Sequence, residues 1–312
     1  MDNTLDAPKS KKNNWFSRIS AKTTKLTPYI LVLPALVIVI LFVIYPLIVG
    51  FYTSLTDQKV STITQSNFVG LKNYILLLTT RGFYRAAGIT FKFYGMSIVV
   101  EMGIGLCLAL LLNHDIKGIR IYRSIFLIPF MVPPVASGLI WRNLLDPQGV
   151  INYILGSIGL TPIPWLAGTK TVLFALLVID SWATIPQVTI LLLAGLKNIS
   201  SEILDAANID GAGSLNLFRY ITWPMILPYF LSSLLIRSIE LLQILDIIMS
   251  TSKGGPAGAS TVLQIDIYNE VFYSGLIGSG NAYAWLLAII VMLVVAIISL
   301  LISKTQSSYY GE

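Results

Sequence analysis

The chain has 312 residues, of which 55 % are hydrophobic and only 12 % charged, with a formal net charge of +6. Soluble domains carry about a quarter of their residues as charges, so this composition excludes an ordinary soluble domain. The positive balance does not point to nucleic acid either, because Lys9, Lys11, Lys12, Arg18, Lys22 and Lys25 crowd the N-terminal tail beside the first apolar block. There anionic lipid is the natural partner.

Residues 1–28 are expected to form a basic tail on the cytoplasmic side, either disordered or a short interfacial helix with Trp15, Phe16 and Ile19 able to rest on the bilayer. Tyr29 to Tyr52 is then 24 residues without a charge, more than the roughly 20 that cross a bilayer as a helix. Its apolar core is too long for a cleavable signal, and no small-residue cleavage site follows. Five further spans are expected at about 93–113, 124–141, 172–196, 223–249 and 282–302. The membrane domain therefore runs over 29–304, and 305–312 forms a short cytoplasmic tail.

With six spans and the tail inside, the inner segments hold twelve basic residues and the longer outer segments eight. That asymmetry follows the positive-inside rule and gives both termini in the cytoplasm. Residues 57–92 read as an outer re-entrant or surface helix. Span three contains Pro129, Pro133 and Pro134, so it is expected to be kinked, either to line a path or merely to pack. The stretch KGGPAGAST after span five marks a turn. Cys107, the single cysteine, reads as a small buried hydrophobe, and neither it nor His114 has metal-ligand spacing around it.

Between spans four and five lies Asp205–Gly213, DAANIDGAG, a polar stretch in an apolar chain. Ser200 or Ser201 suits a helix cap, and Glu202 falls in the first turn where the helix dipole favours an acid. Ile203, Leu204, Ala207 and Ile209 form a short stripe, which Gly211 and Gly213 end. A second short helix is expected through Leu215 to Tyr220, with Pro224 and Pro228 breaking the chain before span five. Such a unit suits either docking into another protein's groove or an ordinary structured loop.

This segment resembles the EAA loop of bacterial ATP-binding-cassette importer permeases, E-A-A-x-x-D-G-A followed by F-x-x-I-x-L-P-x-L-x-P. The matching residues are Asp205, Ala206, Ala207, Asp210, Gly211 and Ala212, then Phe218, Ile221, Pro224 and Pro228. Asp205 stands in place of Glu and Trp223 in place of Leu. PYILVLPALVIVILFVIYPLIVGFYTSL, NFVGLKNY, RSIFLIPFMVPPVASGLIWRNLLDPQGVIN and STSKGGPAGAST are similar to the carbohydrate-uptake members that pair with a second, different permease.

The resemblance implies an all-α polytopic membrane protein with six transmembrane helices in the type I importer permease fold, multi-pass in the bacterial cytoplasmic (inner) membrane. It further implies a heterodimer with a sister permease, two copies of a cytoplasmic ATPase and an extracytoplasmic solute-binding protein. Loop 199–220, through Glu202, Asp205, Ala206, Ala207, Asp210, Gly211 and Ala212, would couple to the ATPase. The chain has no G-x-x-x-x-G-K-[ST] cradle, so it is expected to bind no cofactor and to leave ATP and Mg to its partner.

Intramembrane polar residues are the candidates for the solute path. Arg237, Glu240, Gln243 and Asp246 recur every third residue, either offering sugar hydroxyls fixed partners or locking helices through an Arg237–Glu240 pair. Trp182, Gln187, Asn281, Tyr283 and Trp285 either add rings and amides to that path or belong to an interfacial belt. Glu101 suits a solute contact or a packed polar anchor. An ion-gradient-driven secondary transporter is the alternative, using Glu101, Asp180 and Glu240, although no internal repeat is visible. The motifs of hydrolytic enzymes are absent.

Overall fold

The computed structural model describes residues 29, 31–62, 66–114 and 117–310. The N-terminal tail, expected to be disordered or a short interfacial helix, lies outside the described residues. The described chain is almost wholly helical, and its one β contact there is an isolated antiparallel bridge between Thr56 and Phe68.

Helix α1, Leu31–Ser54, is apolar all round and exposed over most of its length. Its 24 residues span about 36 Å at 1.5 Å each, enough for a bilayer core. The chain from Thr53 onward forms a second compact unit. In it, Asn73 opens α2 (Lys72–Thr79) by donating its side-chain amide to the carbonyls of Ser54 and Thr56, both at 2.8 Å.

Helix α3 covers Arg81–Leu112. It begins about three turns before the apolar run that suggested a span from 93, so 57–92 is not one outer segment. Burial explains the extension: Phe83, Ala86 and Thr90 are enclosed, and Phe83 packs against the Tyr283 ring at 5.5 Å. Cys107 lies exposed on this helix rather than buried, an apolar thiol on an apolar face.

The expected third span is not one helix. Segments α4 (Ile119–Met131) and α5 (Pro134–Leu144) meet at 92°. Adjacent prolines cause the break. Each lacks an N–H, and a proline forces its predecessor out of helical geometry; Val132 (ψ 125°) and Pro133 (ψ 141°) are both extended.

After α6 (Val150–Ser157) comes the long α7 (Val172–Lys197), the most enclosed span. Its upper half packs Val172, Leu176 and Ile179 around Phe93, and its lower half packs Val188, Leu192 and Leu196 against Met102, Ala109 and Ile226. The short α8, Ser201–Ile209, leads to α9, Ser214–Leu242. Here the structure corrects two expectations. Pro224 and Pro228 do not break the chain: Pro224 follows a wide turn over Phe218–Thr222 in which Trp223 donates back to Phe218, and Pro228 is carried inside the helix. The helix instead stops at Leu242 and resumes as α10, Asp246–Ser250, so 223–249 is not continuous.

Helix α11 (Leu263–Tyr268) and the final α12 (Ile277–Tyr310) complete the unit. Helix α12 runs beyond the expected end of span six near 302, through most of the residues expected as a tail.

The two discontinuous segments pack together where Gly138 of α5 faces Ser250 of α10. A Cβ on Gly138 would overlap the Ser250 hydroxyl and come within 3.0 Å of its Cβ. Gly138→Val is therefore expected to destabilise the purified protein by about 1–3 kcal/mol. Gly103→Val, where nothing lies within 4 Å, should leave the melting temperature nearly unchanged. Equal melting of the two variants would refute the close contact.

Candidate functional site

Three long helices meet at Arg237. This residue of α9 is 3 % exposed, and its guanidinium faces three carboxylates from three directions. Nε donates to Glu101 of α3 at 2.8 Å, Nη2 to Asp180 of α7 at 2.9 Å, and Nη1 to Glu240 one turn along α9. Burying a charge in a membrane protein is costly unless it is paired, and the planar fork of five donors is suited to several acceptors at once. The Ser181 hydroxyl adds a weaker bond to Glu101 at 3.4 Å. Glu101 is completely buried, so it anchors helices and does not face a solute.

Glu240 differs from the other two carboxylates. Its side chain is 41 % exposed and opens into a cavity of about 460 Å³. One of its oxygens accepts from Arg237 and the other from the Gln187 amide of α7 at 3.2 Å. Asp180, Thr184, Gln243 and Asp246 supply the rest of the polar lining, and Phe130, Val132 and Pro134 are among its apolar lining.

Both helix breaks border this cavity. Residues Val132 and Pro134 come from the α4–α5 break, and Gln243, Ile244 and Leu245 from the α9–α10 break. Helices discontinuous at membrane depth are tolerated where they line a cavity, since freed backbone groups need polar company there.

The other expected path residues are placed apart. Trp182 packs edge-to-face on Trp141 at 5.9 Å and does not line the cavity. Asn281 donates to the Ile277 carbonyl within α12. Tyr283 donates to Asp266 at 3.0 Å and borders a different cavity of about 470 Å³ with Asp57, Lys59 and Glu270. At that second cavity's rim the Asn67 backbone amide holds the Asp57 carboxyl below its usual value. Sequence reasoning did not single out Thr184, whose one available signal is its place one turn after Asp180.

The DAANIDGAG stretch folds as α8 with a tight end. Ser200 occupies the cap position but makes no side-chain capping bond. At the other end Gly211 adopts φ +80°, its N–H bonding Asn208 and the Ala212 N–H reaching back to Ala207 at 2.9 Å. This paired arrangement stops a helix sharply and favours glycine at the left-handed position. Ala207 is buried and Leu204 packs onto the lower core, which fixes the helix to the membrane unit. The remaining surface is open: Glu202, Asp205, Ala206 and Asp210 are exposed, with Ala212 half-buried. Ile209 is 85 % and Leu215 77 % exposed beside them.

Comparison with known proteins adds family context to this geometry. The family model described as "Binding-protein-dependent transport system inner membrane component" matches residues 101–305. The chain is 36 % identical over 282 residues to the trehalose/maltose transport system permease protein MalF of Thermococcus litoralis, covering 90 % of this chain and 94 % of that one. It is 29 % identical over 274 residues to the sn-glycerol-3-phosphate transport system permease protein UgpA of Agrobacterium fabrum, covering 87 % and 93 %. Among solved structures, a chain of a bacterial ABC transporter involved in the import of the acidic polysaccharide alginate shares the fold with a TM-score of 0.80 at 20 % identity, covering 92 % of this chain and 99 % of that one.

Proposed function

The chain belongs to the family of binding-protein-dependent transport system inner membrane components, and we propose that it forms, with a sister permease, the membrane path of a sugar importer. It is a permease subunit of an ATP-binding-cassette importer. In the proposed assembly two copies of a cytoplasmic ATPase drive the pair, and an extracytoplasmic binding protein delivers a sugar, oligosaccharide or related polyol. The assembly sits in the bacterial cytoplasmic membrane, and ATP with Mg is used by the ATPase alone. Relatives named for trehalose and maltose and for starch degradation products support the sugar class.

One observation carries the coupling role: a short helix fastened on one side by Leu204 and Ala207, with acids and the apolar Ile209 left open on the other. An ATPase groove is the partner that such a surface fits. ATP binding then favours one permease conformation through contacts that differ between the two states. The sugar path is assigned to the Glu240 cavity, where Gln187, Gln243 and Thr184 offer donors and acceptors to hydroxyls.

The ion-gradient alternative is weaker on physical grounds. A coupling carboxylate must load and release its ion, whereas Glu101, Asp180 and Glu240 are all bound to Arg237, the first two nearly sealed from water. The test is co-expression with the presumed partners, followed by ATP hydrolysis and uptake in liposomes. Stimulation by loaded binding protein is expected. Uptake that needs no ATPase and follows an ion gradient would defeat the proposal.

A further inference from the structure

We infer that Glu240 is a specificity-determining residue that makes the α9 cavity accept uncharged polyhydroxylated solutes and exclude sugar phosphates and uronates. The inference rests on the reading that this cavity lies on the solute path.

The charge around the cavity is one-sided. Asp180, Glu240 and Asp246 line it, with Arg237 the one cation among the lining residues. Three of that cation's five N–H donors already face Glu101, Asp180 and Glu240, one from each nitrogen, so its charge is outnumbered by its own carboxylates. A phosphate or uronate entering here would find its natural partner, a guanidinium fork, already neutralised by three carboxylates. It would also meet the exposed Glu240 carboxylate as a like charge.

A neutral sugar meets the same groups differently. Each Glu240 oxygen accepts one protein donor, from Gln187 or from Arg237, and a carboxylate oxygen has room for a second. A hydroxyl donates into that position, forming a charge-assisted bond. Because Arg237 and Gln187 fix the carboxylate from both sides, it is held ready without reorganising. A volume of about 460 Å³ lies within the usual range for small-molecule sites.

The experiment uses the full complex carrying Cys107→Ser and Gln243→Cys, so that this chain's one thiol lies on the cavity wall. Labelling rates with a cationic and an anionic methanethiosulfonate of similar size are read on this chain by mass spectrometry and normalised to free thiol. A preference for the cation of about tenfold is expected, since clefts of one charge sign concentrate counter-ions by at least that factor. Glu240→Gln on the same background should cut it several-fold. A ratio near one, or one that Glu240→Gln does not change, overturns the assignment. Import of a sugar phosphate or uronate oligosaccharide as fast as of a neutral disaccharide, by the complex with Gln243 intact, overturns it as well. If the complex with Gln243 intact imports no sugar and none stimulates its ATP hydrolysis, the proposed function falls and the solute selection with it, while the labelling ratio still reports the cavity's charge.

Discussion

Replacing Arg237 by methionine is expected to destabilise the folded protein by about 3–5 kcal/mol. Methionine fills most of the space, so packing is not the cause. The cause is what remains: Glu101 with no exposure and Asp180 with 4 % would be left facing each other without their cation. The loss should therefore be reversible by chemistry alone. Adding Glu101→Gln and Asp180→Asn to Arg237→Met removes both orphaned charges and is expected to restore most of the melting temperature and the yield of detergent-purified protein. Arg237→Lys should rescue poorly, because one ammonium cannot reach three carboxylates in the geometry of the fork. Glu240→Gln alone should shift stability little, since that side chain is 41 % exposed to the cavity and water already screens it. A single Arg237→Met variant that melts with the parent would show that the network does not hold the three helices together.

How much of this was legible in the sequence depends on the range of the forces involved. Long apolar runs report a local requirement, the thickness of the bilayer, so α1 and α7 are readable directly. Helix α3 begins earlier than hydropathy indicates because Phe83 and Ala86 are enclosed by α11 and α12, contacts that a window along the chain does not contain. The prolines were visible but not their outcome. Pro133–Pro134 breaks a helix, while Pro224 is carried by a wide turn just before it, and only the backbone around each decides. The same limit applied to the site. The spacing of Arg237 and Glu240 announced a pair on one face, but Glu101 and Asp180 join it from 136 and 57 residues away, and no periodicity links them. Asn281 and Tyr283 looked equally suitable as sugar ligands by type, yet Asn281 bonds its own helix and Tyr283 borders another cavity.

Ile209→Asp is expected to lower ATP-driven uptake by tenfold or more while leaving the fold intact. Ile209 is 85 % exposed, so charging it should change stability by no more than about 1 kcal/mol, the cost of an acid in the last turn of a helix. In an assembled importer the same side chain would sit at the buried centre of a docking surface, where loss of one apolar anchor is worth about 2 kcal/mol, or roughly 30-fold in affinity. Gly211→Val approaches the same surface from the backbone. At φ +80° a side chain costs about 1–2 kcal/mol, and more for a branched one, so the end of α8 should shift and carry Asp210 and Ala212 with it. The two variants differ in a telling way: Gly211→Val strains the isolated chain, whereas Ile209→Asp damages only an interface. Co-purification of the ATPase, hydrolysis stimulated by loaded binding protein, and melting of the permease pair should be measured together. Loss of the first two with unchanged melting in Ile209→Asp would make this polar helix the transmission point for ATP. Full uptake in that variant would remove it from the coupling path and return it to the status of an ordinary loop.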